Sequence, residues 1–125
     1  MTIDESIAQT DGLLSNKIPR ELKISWLSAL DHELYLNVIL THEGAEAYSF
    51  SPYSDDADGE TELLVKPPYD GLYPEYLKMK INSELYDHGR YNSNMLAFSS
   101  MLEEFKAHYN RTNRPLKGEK VRYWR

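Results

Sequence analysis

The sequence predicts a small, mainly α-helical domain of about four helices, and three observations carry that prediction. Apolar residues recur at three- and four-residue intervals in several stretches, the period of a helix face rather than of a strand. Start and stop signals bound those stretches: Thr2 three residues before Glu5, Pro19 ahead of the longest run, Gly44 behind it, and Pro115 behind the last. A chain of 125 residues that is 41% apolar and 27% charged can bury roughly two thirds of its unfolded surface around one core.

The first helix opens on Thr2 and Glu5 in capping-box spacing, carries a thin apolar stripe at Ile3 and Ile7, and stops at Asp11-Gly12. It is too short to stand alone and must dock on something. The second begins near Pro19 and runs to about His42, with Gly44 as its C-terminal stop. Leu22, Trp26, Leu30, Leu34 and Val38 recur every fourth residue, with Leu27, Tyr35, Leu36 and Ile39 on the other sides. Its second half is therefore apolar nearly all round, either central in its own fold or pressed against a neighbouring subunit.

Residues 44–68 break the helical pattern for 25 positions, long for a connection in a compact domain. Ser54-Asp55-Asp56-Ala57-Asp58-Gly59 is a turn-rich acidic tip, Thr61-Glu62-Leu63-Leu64-Val65 a short extended stretch, and Pro67-Pro68 closes it. A projecting long loop or a short hairpin is the expectation. The third helix starts between Asp70 and Pro74, with Tyr73, Leu77, Ile81 and Leu85 as its stripe and Tyr76 beside it; Asp87-His88-Gly89 makes the next turn. In the fourth helix Tyr91, Met95, Phe98, Leu102, Phe105 and Tyr109 form a heptad-like seam, the packing edge of an antiparallel helix pair. Residues 1–110 are thus expected to form the helical domain and 111–125 an extended C-terminal arm.

Composition narrows the function classes. The absence of cysteine removes disulfides, thiolate metal sites and cysteine nucleophiles, and fits a reducing setting. No run approaches the roughly 18 apolar residues of a membrane span, and the acidic opening Met-Thr-Ile-Asp-Glu-Ser lacks the pattern of a signal peptide. Neither membrane insertion nor secretion is expected. Charge is divided abruptly: residues 1–105 hold 7 Lys/Arg against 19 Asp/Glu, a net of −12, and residues 106–125 hold 7 Lys/Arg against Glu119 alone, a net of +6.

No motif with catalytic or metal-binding spacing appears. Aligned on Gly59, a calcium loop would put Ser54 first and Val65 at the twelfth position, where a bidentate carboxylate is required, so the motif fails. His32, His42, His88 and His108 show no pair at ligand spacing, and His42-Glu43 has no second histidine a helical turn on. No serine sits in a Gly-x-Ser-x-Gly elbow and no glycine-rich phosphate loop exists among six glycines. Glu103-Glu104 lie on adjacent, non-facing positions of a wet helix face. Asn110-Arg111-Thr112 matches a glycosylation sequon by chance, given no secretion signal. Catalysis, cofactors and metals are therefore not expected.

The arm carries the functional expectation. Arg111, Arg114, Lys117, Lys120, Arg122, Tyr123, Trp124 and Arg125 interleave cations with two aromatic rings, a pattern that suits an interface hot spot or stacking on bases. A frayed, solvated terminus is the alternative, and Trp124 argues against it, because so large an apolar ring wants a cover. Ten tyrosines add to the same leaning, though Tyr73, Tyr91 and Tyr109 already sit on core stripes.

A string of short matches then marks a resemblance. Trp26-Leu27, Leu30-Asp31, Glu33-Leu34-Tyr35 and Ile39-Leu40-Thr41-His42-Glu43-Gly44 come first, followed by Thr61-Glu62-Leu63-Leu64-Val65 and Pro68-Tyr69-Asp70. Leu72-Tyr73, Tyr76-Leu77, Lys80-Ile81, Arg90-Tyr91-Asn92, Phe98 and Tyr109-Asn110-Arg111-Thr112 with Pro115 continue it in order. Over residues 22–115 the chain resembles the small head–tail connector (adaptor, or head-completion) proteins of tailed phages and prophages of Gram-positive bacteria. The resemblance implies a helical virion protein of the neck, made in the host bacterial cytoplasm. It implies a homo-oligomeric ring, usually of about twelve copies, between the portal protein and the tail-side neck proteins. DNA would pass through that ring without specific binding, and the arm would dock on the portal. The competing expectation is a small nucleic-acid-binding accessory protein that uses the basic arm as its grip; an acidic body of net −12 argues against it, since most of its surface would repel phosphate.

Overall fold

The Thr2–Glu5 pairing folds as a reciprocal cap: the Glu5 amide donates to Thr2 Oγ1 at 3.1 Å and the Thr2 amide to Glu5 Oε1 at 3.4 Å. A computed structural model of the chain describes residues 1–54 and 59–116. Among these the fold is mainly helical, with four α-helices: α1 (Ile3–Leu13), α2 (Arg20–Leu34), α3 (Leu72–Glu84) and α4 (His88–Thr112). No β-sheet forms among the described residues, only two isolated antiparallel bridges, Thr2 to Glu62 and His42 to Pro115.

Helix α1 has few apolar residues of its own and is held by docking, as expected. Ile3 and Ile7 are buried, each such side chain stabilising the fold by about 1.5–3 kcal/mol. Lys23 of α2, only 3% exposed, reaches Asp11 at 2.7 Å and ties the two helices together. Partial burial pushes the Asp11 carboxyl up, but the Lys23 and Asn16 hydrogen bonds and the Lys23 charge outweigh it, so it lies below its ordinary value.

Helix α2 departs from its expected course in two ways. Rather than continuing to His42 as an α-helix, it ends at Leu34 and widens into a π-turn over Tyr35–Ile39, where the Leu40 amide donates to the Tyr35 carbonyl five residues back. Gly44 then reverses the chain with φ 91°, the backbone that glycine adopts without penalty. The core face also differs. Four residues turn a helix by 400°, so a stripe of every fourth residue winds off the core by about 40° per step; Leu22 is exposed and Trp26 half-buried, while Ile24, Leu27, Leu30, Leu34 and Val38 form the buried face. The π-turn, apolar nearly all round, is not buried on every side within its own fold, because Leu36 remains 43% exposed.

The third and fourth helices form the antiparallel pair that the α4 seam predicts, and they are the most extensively contacting elements. Tyr73, Leu77 and Ile81 of α3 are fully buried, as are Phe98, Phe105 and Tyr109 of α4 nearly so, while Met95 at the seam's start stays exposed. Asn82 donates to Asn94 (2.7 Å), Asn94 to Glu75 (3.1 Å), and Tyr76 packs on Phe98 with ring centroids 5.1 Å apart. The turn between the helices lies one step earlier than the glycine suggested. Tyr86 takes the left-handed conformation (φ 57°), Asp87 caps α4 by accepting from the Arg90 amide, and Gly89 is already helical.

Among its described residues the connection 44–68 forms no hairpin, and its second half does not project. Its second half lies against the body: Leu63 and Val65 are fully buried, the Leu63 amide donates to the Met1 carbonyl, and the Thr61 and Gly59 carbonyls accept from the Ile3 and Asp4 amides. Alternation of Glu62, Leu63, Leu64 and Val65 supplies the inward face, but the pairing partner is the start of the chain, some sixty residues away in sequence. The acidic tip at Asp55, Asp56, Ala57 and Asp58 lies outside the described residues.

Candidate interaction surface at the arm root

The arm leaves the end of α4 from a fixed point. Arg111 occupies the last turn of α4 and is exposed, as is Arg114. The Glu43 amide donates to the Arg114 carbonyl at 2.8 Å and the Leu116 amide to the Thr41 carbonyl at 2.9 Å, with Pro115 bridged to His42. Arg111 and Thr112 are therefore still helical, although the sequence predicts an extended arm from residue 111 on, and residues 113–116 are paired with the segment that follows the π-turn. Of the expected docking residues, Lys117, Lys120, Arg122, Tyr123, Trp124 and Arg125 lie outside the described residues.

His42 is the pin beneath this pairing, a role its lone position in sequence gave no sign of. Its ring is buried. Nδ1 faces the Val38 carbonyl at 2.6 Å and must donate to it, since a carbonyl only accepts. Nε2 is hydrogen-bonded to the Asn110 side chain of α4, and the ring stands edge-on to Tyr109 at 5.0 Å. One side chain thus joins the π-turn, α4 and the root of the arm.

Aromatic rings continue from there. Tyr109 packs on Phe105 (5.8 Å), and Tyr69 on Phe105 (6.4 Å) and His108 (4.7 Å). They line a cavity of about 120 Å³ together with Ile39, Tyr48 and Lys66, bordered by Thr112 and Asn113 at the arm root. The Tyr109 hydroxyl is buried and has no hydrogen-bond partner among the described residues; burial, with Tyr48 nearby, pushes its pKa up to about 12. Tyr48, Leu64 and Lys66 also line a second, larger cleft of about 670 Å³ between residues 47–54 and 61–66, with Phe50, Tyr53 and Glu62 in its wall. Sharing those three residues, the cavity and the larger groove lie next to each other.

Beneath that groove lies a buried carboxylate that no sequence signal marked. Asp31 of α2 is fully buried; its Oδ1 accepts from the Tyr73 hydroxyl (2.6 Å) and its Oδ2 from the Tyr53 hydroxyl (2.5 Å) and the Leu64 amide (3.0 Å). The Tyr73 hydroxyl in turn accepts from the Val65 amide at 2.8 Å. Burial pushes the Asp31 carboxyl up, partly offset by these donors and by Lys66. Burial and the Asp31 carboxylate together push the Tyr53 and Tyr73 phenols up in turn. The node fixes the extended segments on both sides of the groove to α2 and α3. Both carboxylate oxygens and both hydroxyls are engaged in anchoring, which is the chemistry of a brace.

Among the described residues no group of three or more His, Asp or Glu could hold a metal ion, and no helix is long and apolar enough to cross a membrane. Compared with known proteins, the chain matches no family model, no curated protein and no solved structure.

Proposed function

We propose that this chain is a structural virion protein of a tailed phage or prophage. In this reading it is a head–tail connector (adaptor) subunit that forms a ring around the DNA channel, between the portal and the tail-side neck proteins, and carries out no catalysis. The observation that carries the reading is the switch from net −12 over residues 1–105 to net +6 over residues 106–125, which begins in the last two turns of α4 and continues where the chain leaves as a paired, extended segment. A rigid helical body with a cationic, aromatic arm rooted at a fixed point is built to hold on to another protein. The resemblance to head–tail connectors carried by residues 22–115 implies the portal as that protein.

Two further features support a ring. Head-to-tail contacts around a closed ring are heterologous and need two different faces. Exposed apolar side chains occur on different elements: Leu36 on the π-turn, Leu96 (69% exposed) on α4, and Leu85 with Tyr86 (82% exposed) at the α3–α4 turn. A net negative body also suits a channel through which DNA slides, because carboxylates repel phosphate. In this reading the protein is made in the bacterial cytoplasm and resides in the neck of the virion.

The test is a pull-down from virion-producing cells, with the full chain beside one ending at Asn110 and partners identified by mass spectrometry. Retrieval of the portal by the full chain, lost on truncation, is the expected result. Retrieval of nucleic acid that washes off with salt, and no virion protein, would overturn the proposal in favour of an accessory nucleic-acid binder.

A further inference from the structure

We propose that Tyr86, at the turn between α3 and α4, inserts into a cavity towards the other end of the same helix pair in a second copy of this chain. The inference deepens the ring reading, on which it rests for the choice of a second copy as occupant, by naming the two faces that a ring needs.

The backbone sets the first face. Helix α3 closes on a Schellman turn, in which the Tyr86 amide donates to the Ser83 carbonyl (3.2 Å) and the Asp87 amide to the Asn82 carbonyl (2.9 Å). That turn needs one left-handed residue, a place that suits glycine and crowds the Cβ of every other type. This chain puts a tyrosine there, at φ 57°. Its side chain gains little cover within its own fold: Tyr86 is 82% exposed and the adjoining Leu85 51% exposed. An aromatic ring held out on a rigid turn has the form of an interface anchor.

The second face is a cavity of about 120 Å³ where α2 passes into the π-turn and meets α3 and α4. Its volume is close to the roughly 150 Å³ that admits a benzene ring and well below the roughly 300 Å³ at which small-molecule sites begin. Leu34, Val38, Tyr76, Phe98 and Leu102 give it an apolar wall, and Glu33, Asn37 and Lys106 add polar groups. An apolar wall with a polar rim fits a phenol, which has an apolar body and a hydroxyl tip. Phe98, its nearest α4 residue, lies about 15 Å along the helix from His88, too far for Tyr86 of the same chain. The contact is therefore heterologous, each copy offering one knob and one hole.

Charge matches across the joint. Glu84 and Arg90 flank the knob, and Glu33 and Lys106 the hole. Glu33 and Glu84 make no ion pair among the described residues. Arg90 and Lys106 hold only exposed partners one turn away, Asp87 at 3.5 Å and Glu103 at 3.9 Å, pairs weak enough to exchange. Arg90 against Glu33 and Glu84 against Lys106 bring unlike charges together on both sides of the ring. Copies held side by side on a shared partner meet at high effective concentration, where a contact of this size suffices.

The experiment places p-azidophenylalanine, close to tyrosine in size, at position 86 of the full chain. An equimolar mixture of ¹⁵N-labelled and unlabelled protein is irradiated, both free at high concentration and bound to purified portal rings. The expected product is a cross-link from position 86 to peptides within 30–38 or 98–102 that joins a labelled to an unlabelled chain. Its absence in both settings, its confinement to one isotope, or cross-links only to other peptides of this chain or of the portal would overturn the proposal. Glu33→Arg should lower the yield about twofold to fivefold, and Arg90→Glu in the same chain should restore it. A yield that Glu33→Arg leaves unchanged would refute the pairing that selects a second copy. Portal capture without the cross-link would overturn this contact and leave the connector reading standing; the cross-link without portal capture would do the reverse.

Discussion

Removing the buried carboxylate of Asp31 is the perturbation on which the fold description is most exposed. The side chain accepts three hydrogen bonds, from the Tyr73 and Tyr53 hydroxyls and the Leu64 amide. In Asp31→Ala the buried Tyr73 hydroxyl and the Leu64 amide lose their acceptor, whereas Tyr53, which lines the cleft, can turn outward. Two stranded buried donors at about 1–3 kcal/mol each, less the relief of no longer burying a charge, give a loss of about 3 kcal/mol. Asp31→Asn keeps the shape and strands one donor, for a loss of about 1 kcal/mol. The two variants differ from wild type in pH dependence as well. Burial raises the wild-type carboxyl above its ordinary 3.8, so the folded chain holds a proton that the unfolded chain has already released. Wild-type stability therefore falls as pH rises from about 3.8 through the raised value and then levels off, and Asp31→Asn lacks that component. Urea unfolding followed by far-UV circular dichroism, repeated across this range, reads both quantities. A loss below about 1 kcal/mol for Asp31→Ala, or an identical acid-range slope in Asp31→Asn, would refute the brace.

Three other outcomes follow from the same geometry. Asp11→Ala leaves the Lys23 ammonium buried without its partner and should cost about 2 kcal/mol, less than the roughly 3–5 kcal/mol of a fully enclosed pair because Asp11 itself is open to solvent. Lys23→Met should be close to neutral in the same denaturation assay. The depressed Asp11 carboxyl contributes stability above its ordinary 3.8 that is lost as pH falls through the lowered value, the opposite sign to Asp31. Gly59→Ala places a Cβ 2.0 Å from the Asp4 carboxylate, forcing it off Arg20 (2.7 Å); the expected cost is about 1 kcal/mol, and Asp4→Ala in the same chain should remove it. At about pH 11, where an ordinary tyrosine is ionised, Tyr53, Tyr73 and Tyr109 should remain protonated. Ultraviolet titration should therefore count fewer tyrosinates than the ten tyrosines present until alkaline unfolding releases the rest.

What the sequence made legible was local and periodic. The Thr2–Glu5 cap, Tyr73, Leu77 and Ile81 of the α3 stripe, and Phe98, Phe105 and Tyr109 of the α4 seam are written in neighbouring residues and fold as their spacing predicts, whereas Leu85 of the stripe lies past the end of α3 and, like Met95 of the seam, is exposed. The course of the chain after Leu34 was not legible, because a π-turn and an α-helix present nearly the same apolar pattern over five residues. Nor was the packing of Leu63 and Val65, whose amides pair with the Met1 carbonyl and the Tyr73 hydroxyl, far away in sequence or on another element. Asp31 lies between apolar positions of α2 and reads as a solvated helix residue until Tyr53, Leu64 and Tyr73 arrive from elsewhere in sequence. At the interaction surface, the basic arm stood out in composition alone. The groove beside it, assembled from residues 39–113, had no contiguous signature.

These features have a common consequence for function. The Asp31 brace and the His42 pin both fix extended backbone to helices, the first along the connection and the second at the arm root. Extended segments held rigidly at a surface present their free edges to whatever docks there, at low entropic cost. The arm therefore starts from a known point and direction.

The measurement that tests the central claim most directly is co-sedimentation with purified portal rings, comparing the full chain and a chain ending at Asn110 at low and at high salt. The account predicts that the full chain sediments with the portal in a fixed ratio at both salt concentrations and that the shortened chain stays in the supernatant. Equal sedimentation of the two chains, or failure of the full chain to bind the portal at either concentration, would contradict it.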